Sequence, residues 1–469
     1  VIKESLNKEI VKMGSKIQLT YCDNSVDAFI PELWAQEGLL QLENNMVMAG
    51  LVYRDFETTI ANYGDTVNAQ RPADFTARRK DVNDDITLQN AVATNVPVLL
   101  NHLVHNSFII RDAERSKSFK DLVSTFIVPA ARAMGQYVDA VLCGQVYQYM
   151  GNVVGNLGTA LTKNSIVNLR SSANTLKQPT GERRVVLTSA SEGDLLKIED
   201  FTRADYVGDA GQALREAFLG RKFGFDFFMD QNTPAIATGN TYTDGEVNNS
   251  GGYAIGTTVL TVDGFAAAID AGSFVTVEGD DVPRRVVSTV GGATPTEITL
   301  DTGLLRAVAD NADIIVYTPG AVNLVAGYAA GWAKAITVDG FTVSPKVGQI
   351  VAFGNATTTQ RYAIVEASTT SITLDRPLEA AIANNDVVCI GPKGNFNFEF
   401  HKNALALVCR PLALPMAGSG ARGAVVNYNN LSMRYTLAYD AIKQGHSATF
   451  DLLMGVKPLD SNLGIILLG

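Results

Sequence analysis

Two stretches of this chain are near copies of each other, and that duplication limits the possible folds more than any other feature. Thr261-Val-Asp-Gly-Phe265 recurs unchanged at Thr337–Phe341, an offset of 76, and Ile298-Thr-Leu-Asp301 recurs unchanged at Ile372–Asp375, an offset of 74. Tyr253-Ala-Ile-Gly256 returns as Tyr328-Ala-Ala-Gly331, offset 75, and Asp310-Asn-Ala-Asp-Ile-Ile315 as Ala383-Asn-Asn-Asp-Val-Val388, offset 73. The order is kept, and the offset drifts only as loop insertions make it drift. Each unit has short alternating strands, Gly- and Asp-containing turns and little helix. That pattern predicts two small β-barrels or sandwiches of about 60 to 75 residues, near the lower limit for independent folding. We place the repeats at 253–320 and 328–392, within an all-β region spanning 239–394. The Thr/Gly/Asn/Ser-rich run from Ala235 to Gly252 reads as a linker into it, and Gly391-Pro-Lys-Gly394 closes it.

On either side the pattern is mixed. Ile166, Leu169, Ala173 and Leu176 have helical spacing, and Val185-Val-Leu-Thr188 reads as a buried strand. Ser189 and Glu192 have capping-box spacing, Gly211 to Leu219 looks helical, and Gly224-Phe-Asp-Phe-Phe-Met229 reads as a strand. Beyond the repeats, Phe396, Phe398 and Phe400 alternate with Asn397 and Glu399, and Met433, Tyr435, Leu437 and Tyr439 alternate with Arg434, Thr436 and Ala438. Strands that resume after such an excursion indicate an α/β host domain, 159–238 plus 395–469, interrupted by the repeats.

Upstream, Phe119, Leu122, Phe126, Ala130, Ala133/Met134, Tyr137, Val141 and Val146 recur in steps of three and four, one stripe of a long helix within 113–158. Asp139 and Gln145 fall among its polar positions, and Pro129 is expected to bend it. Residues 1–54 hold a short amphipathic arm and a helix starting near Pro31. Residues 55–112 read as two long strands joined by a charged tip, an arm reaching about 40 Å at about 3.3 Å per residue. Its large apolar residues are too few for a core, and a lone two-stranded ribbon is marginal in water. It is expected to lie on a neighbouring copy, with Arg71, Arg78, Arg79, Lys80, Asp81, Asp84 and Asp85 as candidates for contact between subunits.

The chain carries 38 Lys plus Arg against 48 Asp plus Glu, a net charge of −10. An acidic chain with no basic cluster argues against sequence-specific nucleic-acid binding. Cys22, Cys143, Cys389 and Cys409 are scattered, with neither metal-ligand spacing nor disulfide-scaffold density. His102 and His105 have no partners in the sequence to complete a metal shell. Phosphate-loop, dinucleotide, nucleophile-elbow and metalloprotease motifs do not occur, and no apolar run approaches the length of a membrane span. Nothing requires catalysis, a metal or a cofactor.

In this order the segments resemble the major capsid proteins of tailed double-stranded-DNA phages with the HK-97-like fold, in the podophage form that carries an inserted β domain. The likeness rests on Phe29-Ile-Pro-Glu-Leu-Trp34, Val52-Tyr-Arg-Asp-Phe-Glu57, Gly64-Asp-Thr-Val-Asn68, Gly224-Phe-Asp-Phe-Phe-Met-Asp-Gln-Asn232, Phe400-His-Lys-Asn-Ala-Leu-Ala-Leu-Val408 and Leu453-Met-Gly-Val-Lys-Pro-Leu459. The resemblance implies an α+β chain in which 55–112 is the extended arm (E-loop), 113–158 the spine helix of a peripheral domain, and the host α/β segments an axial domain. It implies self-assembly into pentamers and hexamers of an icosahedral head that encloses DNA without sequence-specific binding. It further implies a scaffolding protein, a portal, in some relatives a cement or decoration protein, and a place in the virion after assembly in the host bacterial cytoplasm. A nanocompartment shell of the encapsulin kind and, more distantly, a surface or tail structural protein with repeated β modules are the alternatives.

Overall fold

The computed structural model describes residues 35–40, 42, 46–56, 60–71, 77, 79–80, 82, 85–86, 94–111, 126–202, 217, 219–236, 241–269, 271–280, 282, 284–317, 319–341, 344–354, 359–390, 394–416, 420–428 and 430–469. The expected arm at 2–13, Cys22, Phe119 and Leu122 of the stripe, and nearly all of 211–219 lie outside them.

At the centre is the helix Val128–Gly144, continued by a 3-10 turn Gln145–Tyr149. Pro129 stands in the first turn of this helix, where its missing N–H costs no intrahelical bond, and a π-type turn occupies 126–127 just before it. The described helix begins one residue before Pro129, and the part of the expected longer helix upstream of 126 lies outside the described residues. The buried face is wider than one stripe, because Ala130, Ala131, Met134, Val138, Val141, Leu142 and Cys143 are all covered. Asp139 and Gln145, placed on polar faces by periodicity, are buried as well.

Two sheets supply most of that cover. The first runs Val153–Val154, Gly464–Leu468, Gly394–His401, Arg183–Leu187, Phe225–Met229 and Arg221–Lys222, with Ala235–Ile236 also on Gly394–His401. Phe396, Phe398 and Phe400 pack toward the central helix, and helix Lys163–Thr175 covers the opposite face through Ile166, Leu169 and Ala173. Both faces being covered, Asn397 and Glu399 are buried rather than solvated. Helix Ser189–Leu196 is capped by Thr188, whose Oγ1 accepts from Ser191 N at 3.2 Å, one residue before the expected Ser189.

The second sheet is antiparallel, ordered Leu405–Arg410, Gly445–Pro458, Leu431–Asp440 and Ala421–Tyr428. His102–Arg111 pairs with Gly445–Pro458 from Gly445↔Arg111 to Met454↔His102. Those ten residues, assigned to the arm by the sequence pattern, are therefore part of this sheet. The described arm is Thr66–Arg71 paired with Thr94–Leu99. Its base packs through Ala69, Val98 and Leu100 on Ala406, Val408 and Leu453.

Residues 241–390 form two closed six-stranded barrels. The first comprises Thr241–Val247, Val259–Asp263, Phe274–Val277, Arg284–Val290, Glu297–Leu300 and Asp313–Tyr317. The second comprises Pro319–Val322, Ile336–Asp339, Ile350–Gly354, Thr359–Ala367, Ser371–Leu374 and Val387–Ile390. Numbered within each barrel, the strands share one cyclic order, 1-2-5-4-3-6. Thr241–Val247 lies inside the stretch read as a linker; it closes the first barrel against Val259–Asp263 and Asp313–Tyr317.

The repeated residues do the same work twice. The hydroxyl of Tyr253 accepts from Thr261 N at 2.7 Å, and that of Tyr328 from Thr337 N at 2.8 Å. Tyr253 bridges to Val308 and Tyr328 to Ile382, and Asn311 and Asn385 both adopt positive φ. These pairs set the last motif in register at an offset of 74, one residue from the spacing that sequence identity favoured.

A Cβ added at Gly245 would stand 2.4 Å from the Phe265 ring, and one at Gly320 would stand 2.4 Å from the Phe341 ring. Gly245→Ala and Gly320→Ala should therefore each overpack one barrel and cost about 1–3 kcal/mol, read as a lower denaturation midpoint with an unchanged slope.

Candidate functional site: a buried polar junction and an outward arm

Where the second barrel meets the central helix, backbone approaches backbone. A Cβ at Gly144 would lie 2.8 Å from Ala363 Cβ and 3.0 Å from Asp375 Cβ, so only glycine lets the barrel seat this closely. Asp375, the last residue of the repeated Ile-Thr-Leu-Asp, is fully buried. Its Oδ1 accepts from Ala363 N at 2.8 Å, and its Oδ2 accepts from Gln145 Nε2 and Arg376 Nη1, each at 2.9 Å. Burial pushes the Asp375 carboxyl above the usual carboxylate range, against the pull of Arg376. Tyr147 adds a bond from its hydroxyl to Gly348 O at 3.0 Å.

In the first barrel the equivalent Asp301 accepts from Arg285 N through Oδ1 at 3.1 Å, and its Oδ2 stands 3.8 Å from Arg361 of the second barrel. The repeated aspartate thus gives one oxygen to its own barrel's backbone and reaches the piece that docks there with the other, which in Asp375 also holds Arg376. For Asp301 that piece is the next barrel; for Asp375 it is the helix. The first barrel also reaches the first sheet's margin, where Arg306 Nη1 donates to Gly155 O at 2.6 Å and Asn156 Oδ1 at 3.0 Å.

A second buried group lies along the helix. Asp139 accepts from Val47 N at 2.7 Å and Ala49 N at 3.3 Å, holding the 3-10 turn Met48–Gly50. Burial, and then the nearby Asp230, push the Asp139 carboxyl up to about 7 despite those bonds. Cys143 Sγ lies 3.7 Å from Asp230 Oδ2, and burial raises its thiol well above the ordinary range, which keeps it out of thiolate chemistry.

The histidines do not converge. His102 and His105 are on one strand, His102 buried and His105 exposed, and burial lowers His102 to about 4. Among the described residues, no group of three or more His, Cys, Asp or Glu side chains is placed to hold a metal ion, and no helix is long and apolar enough to cross a membrane.

Of the arm residues singled out in the sequence, Arg71 ends the strand Thr66–Arg71, and Arg79, Lys80 and Asp85 are exposed. Arg78, Asp81 and Asp84 lie outside the described residues. Charge is not the whole character of this tip, because Val82 is 91% exposed and Ile86 76% exposed. Sequence reasoning missed the roles of Asp375, Gln145 and Asp139. The identical Ile-Thr-Leu-Asp carried a signal for the first of them; the other two looked like ordinary solvated helix positions.

No family model and no curated protein matches the chain. Solved structures similar to it along most of its length include one from Mycobacterium phage Che8, at 11% identity over 90% of each chain with a TM-score of 0.39. The capsid of Cyanophage P-SCSP1u is similar at 11% identity, over 90% of this chain and 91% of that one, with a TM-score of 0.40. The mature capsid of bacteriophage PhiM1 is similar at 9% identity, over 89% and 86%, with a TM-score of 0.37.

Removing the Asp375 carboxylate leaves Arg376 and Gln145 without their buried acceptor, so Asp375→Ala should cost about 3–5 kcal/mol. Gln145→Ala should cost about 1–3 kcal/mol, and the double variant less than the sum, since the two share one bond. Equilibrium unfolding of the four chains measures this.

For Asp139 the folded value near 7 lies above the ordinary 3.8, so the folded chain holds the proton more tightly than the unfolded one. The associated stability is full below the ordinary value and is lost as pH rises through about 7. Unfolding measured between pH 5 and pH 8 should show that decline in the wild type and a smaller one in Asp139→Asn.

Proposed function

We propose that this chain is a major capsid protein of a tailed double-stranded-DNA phage, an HK-97-like shell subunit acting by assembly rather than by catalysis. The observation that carries this reading is the arm. A two-stranded ribbon, whose base packs on the second sheet, leads to a tip where every described residue is exposed, Val82 and Ile86 among them. Apolar side chains held that far from their own core gain nothing in a lone subunit; against a neighbour, burying each is worth about 1.5–3 kcal/mol. A contact between the arm of one copy and the body of the next is heterologous, and such contacts close into rings. Pentamers and hexamers are rings of this kind, and a shell of them needs no reactive centre.

The other parts fit the same assignment. The helix Val128–Gly144 between two sheets corresponds to the spine of a peripheral domain, and the sheet carrying Arg183–Leu187 and Gly394–His401 to the axial domain. The barrels correspond to an insertion between 238 and 395. A net charge of −10 suits a container that holds DNA without gripping it.

Expression with the co-assembling proteins encoded beside it, followed by negative-stain microscopy, tests the reading; closed shells support it, and a chain that stays monomeric under all assembly conditions overturns it. Val82→Asp combined with Ile86→Asp should leave subunit unfolding within about 0.5 kcal/mol of wild type. Each intersubunit contact should lose about 3 kcal/mol, roughly a hundredfold, seen as a shift from shells to free subunits in sedimentation.

A further inference from the structure

Glu399 lies in the middle of the first sheet, between Ile465 on one neighbouring strand and Val185 on the other, and is fully buried. The only hydrogen bond to its carboxyl among the described residues comes from Gln178 Nε2 to Oε2, at 3.3 Å. Its Oε1 is buried with no donor, and so is the Oε1 of Gln178. Turning the Gln178 amide over does not help. Its nitrogen faces two acceptors, Glu399 Oε2 and Asn462 O at 3.2 Å, so the oxygen cannot take the nitrogen's place.

Among the described residues no cation pairs with the carboxyl directly. Arg183, the charged group that acts on it from the strand Arg183–Leu187, spends Nε on Pro179 O at 2.8 Å, Nη1 on Asn174 Oδ1 at 2.9 Å and Nη2 on Gln178 O at 2.6 Å. Arg170 stands behind Arg183, and the strand Gly464–Leu468 offers only Ile465. From the turn at Ser461–Leu463 comes the Asn462 carbonyl, an acceptor. The Oε1 of Glu399 and the Oε1 of its bonded neighbour Gln178 are thus two buried acceptors short of one proton, and a fully buried carboxylate with one long hydrogen bond is costly to maintain.

We propose that Glu399 is a carboxylic acid in the folded chain, its proton donated to the amide oxygen of Gln178, and that this proton locks the turn at Ser461–Leu463 onto the end of helix Lys163–Thr175. With the acid protonated, Gln178 accepts through Oε1 and keeps Nε2 for Asn462 O. Ionisation removes the donor, leaves a negative charge in the sheet and draws the Gln178 nitrogen away from the turn. Burial raises this carboxyl to about 8 from an ordinary 4.5, with Gln178 and Arg183 opposing, which sets the pH range. The folded value being the higher one, the stability tied to the proton is full below the ordinary value and is lost as pH rises through about 8.

The test is hydrogen–deuterium exchange of the turn in the full-length chain between pH 6 and pH 9.5, corrected for intrinsic exchange. Protection of residues 461–463 should fall roughly tenfold per pH unit from pH 6 to about 8 and level off above that in the wild type. In Glu399→Gln, which keeps the shape and cannot ionise, it should not change with pH. Constant protection in the wild type overturns the proposal without any variant, and an undiminished fall in Glu399→Gln assigns the effect to another group and overturns it equally.

Discussion

The fold depends on covering one helix. Val128–Gly144 presents apolar side chains around most of its circumference, and no single sheet can bury such a surface. Three separate pieces cover it together. They are the sheet led by Phe396, Phe398 and Phe400, the sheet led by Met433, Tyr435 and Phe450, and Ala363 and Val365 of the second barrel. Polar bonds accompany this packing, so register is fixed where apolar contact alone would let it slide. Gln145 meets Asp375 on the barrel side, and Asp139 holds the turn at 48–50. Tyr149 donates to Ala404 O at 2.6 Å between the two sheets.

Much of this was legible in the sequence, for physical reasons. Strict recurrence of Thr-Val-Asp-Gly-Phe marks a unit that must fold twice, and the alternation around Phe398 marks a strand with a large apolar face. What the sequence hid is how many sides are covered. Periodicity sorts residues by polarity and reads Glu399, Asp139 and Gln145 as solvated, whereas all three are buried because a further layer packs over each. The misread linker has a related cause. Thr241-Tyr-Thr-Asp-Gly-Glu-Val247 has turn-like composition, but two barrel neighbours supply its hydrogen-bond partners, and pairing overrides propensity.

The duplicated barrels also show what a repeat is free to change. The tyrosine–threonine clasp, the glycine under the phenylalanine ring and the aspartate bonded to a backbone N–H recur, because each closes the barrel. The second oxygen of that aspartate has a different partner outside its own barrel in each copy: Arg361 in one, and Gln145, beside the barrel's own Arg376, in the other. Closure is held constant while attachment diverges.

The junction between the barrels leaves them little independence. The last strand of the first ends at Tyr317 and the first strand of the second begins at Pro319, and Phe274 and Tyr317 pack on Ala352 and Cys389 across the gap. With so short a tether and an apolar seam beside it, the pair meets the rest of the chain at two separated places, the seat at Gly144 under the second barrel and the Arg306 bonds to residues 155 and 156 under the first. A shift of the central helix relative to the first sheet's margin would therefore load the seam between the barrels.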